Sequence, residues 1–121
     1  NHIKILGLEE CLRRAKERAS FTKKIEVEVE SQDDMIKAAK GGADIIMFDN
    51  MAPEKIARAV ELLREKGLNN NVLLEASGGI TLDNIPQYAA SGVDVISLGA
   101  LTRNAKWIDL SLEIDARMEQ K

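Results

Sequence analysis

Leu8, Leu12, Ala15 and Ala19 recur at helical spacing, with Glu9, Arg13, Lys16 and Glu17 on other faces, which predicts an amphipathic helix. From Lys24 to Glu30 the period falls to two. Glu26, Glu28 and Glu30 alternate with Val27 and Val29, which predicts a strand with one carboxylate face. Ser31, with Asp34 three residues on, signals the start of a helix that runs to the Gly41-Gly42 stop. Ala43 to Phe48 is an apolar run broken only by Asp44, the habit of a parallel strand buried on both faces. Pro53 stands where a first helical residue often does; Ile56, Val60 and Leu63 form one stripe, and Gly67 ends that helix.

The pattern then repeats. Val72 to Glu75 reads as a short strand, Thr81 as the cap of a helix carrying Ile85, Tyr88 and Ala89, Gly92 as its close, and Val93 to Leu98 as another strand. In the tail, Ile108, Leu110, Leu112 and Ile114 alternate with polar residues, a strand pattern that a helix also tolerates. The string from Gly42 to Asp49 is echoed by Gly92 to Gly99: a helix-ending glycine, a buried strand, and a polar or glycine residue at the strand's C-terminal end. Four strands alternating with helices predict an α/β fold, a parallel sheet of about four to five βα units with right-handed crossovers. Such units build part of a TIM-like α/β barrel, or alternatively a rearranged, open flavodoxin-like sheet. No linker or low-complexity tract divides residues 1–121, so one domain or a part of one is expected.

Hydrophobic residues at 45% and charged residues at 31% are those of an ordinary globular chain. The net charge of −3 gives no basic footprint, so nucleic acid is not expected as a partner. Cys11 is the lone cysteine and has no internal disulfide partner, which points to the cytoplasm; its helical position suits a small, half-buried residue. No apolar run approaches the roughly 18 residues of a membrane span, and Asn1 to Leu6 lack the layout of a signal peptide. No membrane association is expected.

In parallel α/β folds the chemistry collects at the C-terminal ends of the strands. Those ends carry Glu28 and Glu30, Asp49 and Asn50, Glu75 with Ser77-Gly78-Gly79, and Gly99-Ala100. Carboxylates beside glycine turns suit a metal-bound, phosphorylated substrate. Ser77 to Thr81 runs from a strand end towards a helix start, where backbone N–H groups and the helix dipole favour an anion, and Gly99-Ala100-Leu101 can approach the same anion from the next strand. Gly78 and Gly79 also suit a plain tight turn, and the three glutamates suit a solvated strand face. If the strand faces a barrel interior, Glu28 reaches the centre as Asp49 does, and the two can hold Mg²⁺ between substrate oxygens. His2, the only histidine, is a candidate substrate contact. Asp44 and Asp94 lie far from that end and are expected to cap or pair locally.

The strings Ile25-Glu26-Val27-Glu28-Val29-Glu30, Ile45-Ile46-Met47-Phe48-Asp49-Asn50, Leu74-Glu75-Ala76-Ser77-Gly78-Gly79-Ile80 and Gly92 to Thr102 resemble the quinolinate phosphoribosyltransferase pattern in order and spacing. Asn1-His2-Ile3 is similar to the end of that family's Lys-Asp-Asn-His motif, and Trp107 to Leu112 to its closing segment. The resemblance implies the C-terminal portion of an enzyme that turns quinolinate and phosphoribosyl pyrophosphate into nicotinate mononucleotide, pyrophosphate and carbon dioxide, with Mg²⁺, in NAD synthesis. It implies Glu28 and Asp49 near the ribose and the metal-bound pyrophosphate, and Ser77, Gly78, Gly79, Gly99 and Ala100 at the 5′-phosphate. Arg103 stands where the family usually has histidine. The family's N-terminal domain, its early strands and the basic cluster that grips quinolinate are not in these residues. In the family a neighbouring subunit completes the site, so a homo-oligomer is expected and the isolated chain is expected to be inactive.

Overall fold

The structure, a computed structural model, describes residues 2–99. Helices α1 (His2–Leu6) and α2 (Leu8–Arg18) meet at Gly7 and are followed by β1 (Glu26–Val29), α3 (Gln32–Lys40), β2 (Ile45–Asp49), α4 (Pro53–Glu65), β3 (Leu73–Ser77), α5 (Ile85–Ala90) and β4 (Val95–Ile96). All four strands are parallel, in the order β1-β2-β3-β4. Each strand thus lies beside its neighbour in sequence, as in a segment of a (βα) barrel. The strand order of the flavodoxin-like alternative, with its early strands exchanged, is not observed.

Period-two alternation decides what each face does. Val27, Val29, Ile46, Phe48, Leu74 and Ala76 are buried, and they pack with Met35 and Ala38 of α3, Ile56, Ala59, Val60 and Leu63 of α4, and Tyr88 of α5. Each large apolar side chain sealed in this layer contributes about 1.5–3 kcal/mol. The opposite face carries Glu26, Glu28, Ile45, Met47, Asp49, Leu73, Glu75, Ser77 and Val95, and most of it is half-buried or exposed. The apolar run of β2 is therefore buried on one face only: Ile46 and Phe48 are sealed, Ile45 and Met47 half-buried. Helices α3, α4 and α5 cover one side of this sheet, while α1 and the start of α2 border Glu28 at its β1 edge.

Most sequence signals hold at their positions. Ser31 Oγ accepts from the Asp34 N–H at 3.1 Å and caps α3, and Pro53 opens α4. Leu8 and Leu12 are buried on α2, and Cys11 beside them is half-buried. Three boundaries differ. α1 is an added turn of helix before Leu8. β4 is only two residues long, where Val93 to Leu98 suggests a longer strand. Thr81 does not cap a helix: its N–H donates to Asn84 Oδ1 at 2.8 Å and its carbonyl accepts from the Asn84 and Ile85 N–H groups, so the turn is spent before α5 starts at Ile85. Ala100, Leu101, Arg103, Trp107 and the alternating tail lie outside the described residues.

The internal echo has a physical basis. Asp44 donates its N–H to the Ile25 carbonyl at 2.9 Å, and its Oδ2 accepts from the Ile25 N–H at 2.8 Å. Asp94 repeats the clasp on Leu74, with both bonds at 2.8 Å. Each aspartate thus satisfies both backbone groups of one residue, Ile25 just before β1 or Leu74 on β3, and sets the register there. The Ile25 amide, with Lys24 at 3.1 Å, holds the Asp44 carboxyl below its ordinary pKa. Its stabilising effect is therefore complete above the carboxyl's unfolded pKa and is lost as pH falls through the lower folded value. Replacing Asp44 or Asp94 by alanine is expected to cost about 1–2 kcal/mol in urea unfolding, and the D44A deficit is expected to shrink in acid as the native carboxyl protonates.

Candidate functional site

β1, β2 and β3 end at the same rim because their registers are aligned: Glu28 pairs with Met47, Met47 with Glu75, and Asp49 with Ser77. Register partners in a parallel sheet point the same way, so Glu28, Asp49, Glu75 and Ser77 share the face opposite α3, α4 and α5. Glu28 lies two residues deeper along the strand direction than Asp49, about 7 Å, and one strand over, about 5 Å. It also lines a cavity of about 210 Å³ with Ile3, Lys4, Leu8, Glu30 and Asp34. His2 begins α1, which places its backbone in the element that borders this cavity; its side chain is outside the described set.

The glycine corner follows Ser77 directly. Gly78 and Gly79 have φ of 82° and 64°, a region that side-chain-bearing residues rarely enter. A Cβ on Gly78 would stand 2.6 Å from Asn50 Cγ and Oδ1 and 2.7 Å from Asp49 Oδ1. Asp49 and the corner therefore touch. The N–H groups of Gly78, Gly79 and Ile80 donate to no protein acceptor among the described residues. Successive free N–H groups in such a turn form an anion-binding nest. Asn84 braces it, donating from Nδ2 to the Gly79 carbonyl at 3.2 Å. The expected dipole of a following helix is not part of this nest, because α5 begins six residues beyond Gly79 and is only six residues long. Gly99 lies beyond β4 at the same end of the sheet as Gly78 and Gly79. Ala100 is outside the described residues.

Two of the strand-end residues, Glu75 and Asn50, have partners that the sequence did not indicate. Glu75, 8% exposed, accepts from Ser97 Oγ at 2.5 Å and ties β3 to the segment leading to Gly99. The phase of β3 puts residue 75 on the same face as Ser77. Its charge reaches Glu26: burial, and then repulsion from Glu75, raises the Glu26 pKa. Asn50 is the second, with φ of 50° and its Nδ2 donating to Asp49 Oδ2 at 2.9 Å. A separate groove of about 580 Å³ between α2 and the edge of β1 is lined by Leu8, Cys11, Leu12, Ala15, Ile25 and Val27 among others. None of the candidate site residues borders it.

Glu28 and Asp49 offer the hard oxygen donors that Mg²⁺ takes. Among the described residues no three His, Cys, Asp or Glu side chains gather into a complete cage. Mg²⁺ needs only one or two carboxylates when substrate oxygens and water fill its other positions, and Glu28 and Asp49 supply that donor type. No helix of the described residues is long and apolar enough to cross a membrane.

A parallel βα segment with carboxylates and a phosphate-type nest on one rim is the layout of a phosphate-handling α/β barrel. Residues 1–113 match the model of the quinolinate phosphoribosyl transferase C-terminal domain, and the chain belongs to that family. It is 56% identical over 115 residues to a probable nicotinate-nucleotide pyrophosphorylase (carboxylating) of Methanothermobacter thermautotrophicus, covering 94% of this chain and 41% of that protein. It is 42% identical over 118 residues to the human nicotinate-nucleotide pyrophosphorylase (carboxylating), covering 97% and 39%. The nicotinate-nucleotide pyrophosphorylase structure from Francisella tularensis superimposes with a TM-score of 0.76 at 41% identity, covering 92% of this chain and 38% of that one. The chain thus spans about two fifths of the length of the relatives it matches.

G78A is expected to cost about 2 kcal/mol or more, because the added Cβ meets Asn50 and Asp49 at a positive φ. E75Q is expected to lower the Glu26 pKa in a carboxyl-resolved NMR titration, since the Glu75 charge contributes to its elevation.

Proposed function

We propose that this domain supplies the phosphoribosyl-binding part of an active site that joins quinolinate to phosphoribosyl pyrophosphate, yielding nicotinate mononucleotide, pyrophosphate and carbon dioxide. The observation that carries the reading is the contact of Asp49 Oδ1 with the Gly78 corner, which sets a carboxylate beside an anion nest on one rim. The Gly78, Gly79 and Ile80 N–H groups bind the 5′-phosphate, and the Gly99 turn closes on it from the next strand. That grip places the ribose over the face where Asp49 and Glu28 point. As the bond from C1′ to pyrophosphate loosens, positive charge grows on the ribosyl centre, and fixed carboxylates at that spot stabilise it more than they stabilise the ground state. Mg²⁺, when held by Glu28 and Asp49 with substrate oxygens, supplies charge neutralisation of the leaving pyrophosphate.

The groups that recognise quinolinate belong to other parts of the site, and a homo-oligomer that completes it is part of the proposal. A second reading, a non-catalytic α/β module that self-associates, is favoured by one observation: Leu73 and Val95 on the face opposite α3, α4 and α5 are 46% and 37% exposed. The two readings separate in the full gene product that carries these residues. Under the enzyme reading it releases carbon dioxide from labelled quinolinate only with phosphoribosyl pyrophosphate and Mg²⁺, and D49N and E28Q each lower kcat by about 10²–10³ while remaining folded. Wild-type protein that shows no saturable heat with phosphoribosyl pyrophosphate and Mg²⁺ would leave the second reading standing.

A further inference from the structure

Asn50 holds an unusual conformation for a reason that the fold alone does not supply. Its φ of 50° makes it the one non-glycine residue with positive φ among those described. Asparagine tolerates this region better than most residues, yet glycine fits it with less strain. The backbone part of its job needs no side chain: the turn lets the Asn50 N–H donate to the Ser77 carbonyl at 2.9 Å, carrying the β2–β3 pairing past Asp49. The side chain does something else. Its Nδ2 donates to Asp49 Oδ2 at 2.9 Å, and its Cγ and Oδ1 press on the face of Gly78 where a Cβ would stand. An ionised carboxylate only accepts, so the amide nitrogen is the end that must face Asp49, and the oxygen then faces the glycine corner.

We infer that Asn50 is a positioning residue that aims the Asp49 carboxylate and couples it to the phosphate-binding turn. The inference rests on the enzyme reading above and goes beyond it by assigning the residue that sets the geometry. With Oδ2 engaged by the amide, Asp49 presents Oδ1, which takes no hydrogen bond among the described residues, towards the position where the sugar and the cation would meet. The same amide plane butts against Gly78, so the direction of the carboxylate and the shape of the nest are set by one side chain. An amide that donates to one carboxylate oxygen in this way restricts the rotation that Asp49 would otherwise have at a strand end.

Asn50→Gly separates the two jobs, because glycine accepts the positive φ while deleting the amide. In the full gene product N50G is expected to unfold at the same temperature as wild type or higher. It is also expected to lose about ten- to a hundred-fold in kcat and in calorimetric affinity for phosphoribosyl pyrophosphate with Mg²⁺. KM for quinolinate should change by less than about three-fold. Asn50→Asp keeps the shape but replaces the donor with a second carboxylate, and is expected to lose more than N50G. If wild type binds the co-substrate and N50G binds and turns over equally well, the inference falls while the enzyme reading survives. If N50G lowers thermal stability and leaves per-folded-molecule activity intact, Asn50 is structural and the inference also falls. If wild type itself neither binds nor turns over, both fall together.

Discussion

The in-register pairing of β2 with β3 is the constraint on which the rest of the site depends. It sets Asp49 opposite Ser77, and through the Asn50 N–H it extends just far enough to hold the carboxylate against the Gly78 turn. A slip of one residue would turn Asp49 into the helix layer and lift Phe48 out of it. The core and the rim therefore enforce each other: Phe48 and Ile46 are fully sealed under the helices, and their burial fixes which way residues 47 and 49 point. At the opposite end of the sheet, the Asp44 clasp pins β2 to the start of β1, and the Asp94 clasp pins the start of β4 to β3.

Charge distribution follows from this geometry. The face opposite α3, α4 and α5 gathers Glu26, Glu28, Asp49 and Glu75 with no Lys or Arg among its register rows. Glu26 shows the consequence, with its pKa raised by burial and by Glu75. A raised carboxyl pKa means that the native state loses relative stability as pH rises through the folded value, so this face is electrostatically loaded at neutral pH. Ser97 offers partial compensation by donating to Glu75, and the same bond ties the β4 segment, otherwise paired over only two residues, to β3.

The glycine corner shows how local chemistry and long-range contact divide the work. Gly78 and Gly79 permit the turn, but Asn84 and Asn50 shape it from either side, one through the Gly79 carbonyl and the other through the Gly78 face. The turn's backbone N–H groups are thus braced by two asparagine amides, with no contribution from a long helix.

Much of this was legible along the chain. Alternation of Glu and Val in residues 26–30 fixed the phase of β1, the helical stripes located α2, α3 and α4, and the strand-end residues Glu28, Asp49 and Ser77-Gly78-Gly79 were marked by their position before turns. These signals are local, since side-chain direction in a strand or helix is set by the backbone period alone. The start of α5, the clasp of each aspartate on the strand before it, the Glu75–Ser97 tie and the part played by Asn50 were not readable in that way. Each depends on groups brought together from distant positions, 22 residues apart for Glu75 and Ser97, and on hydrogen bonds between strands. Sequence by itself determined which residues face which side; only the tertiary structure decided which of them meet, because register and left-handed turns are settled by contacts that no local period encodes.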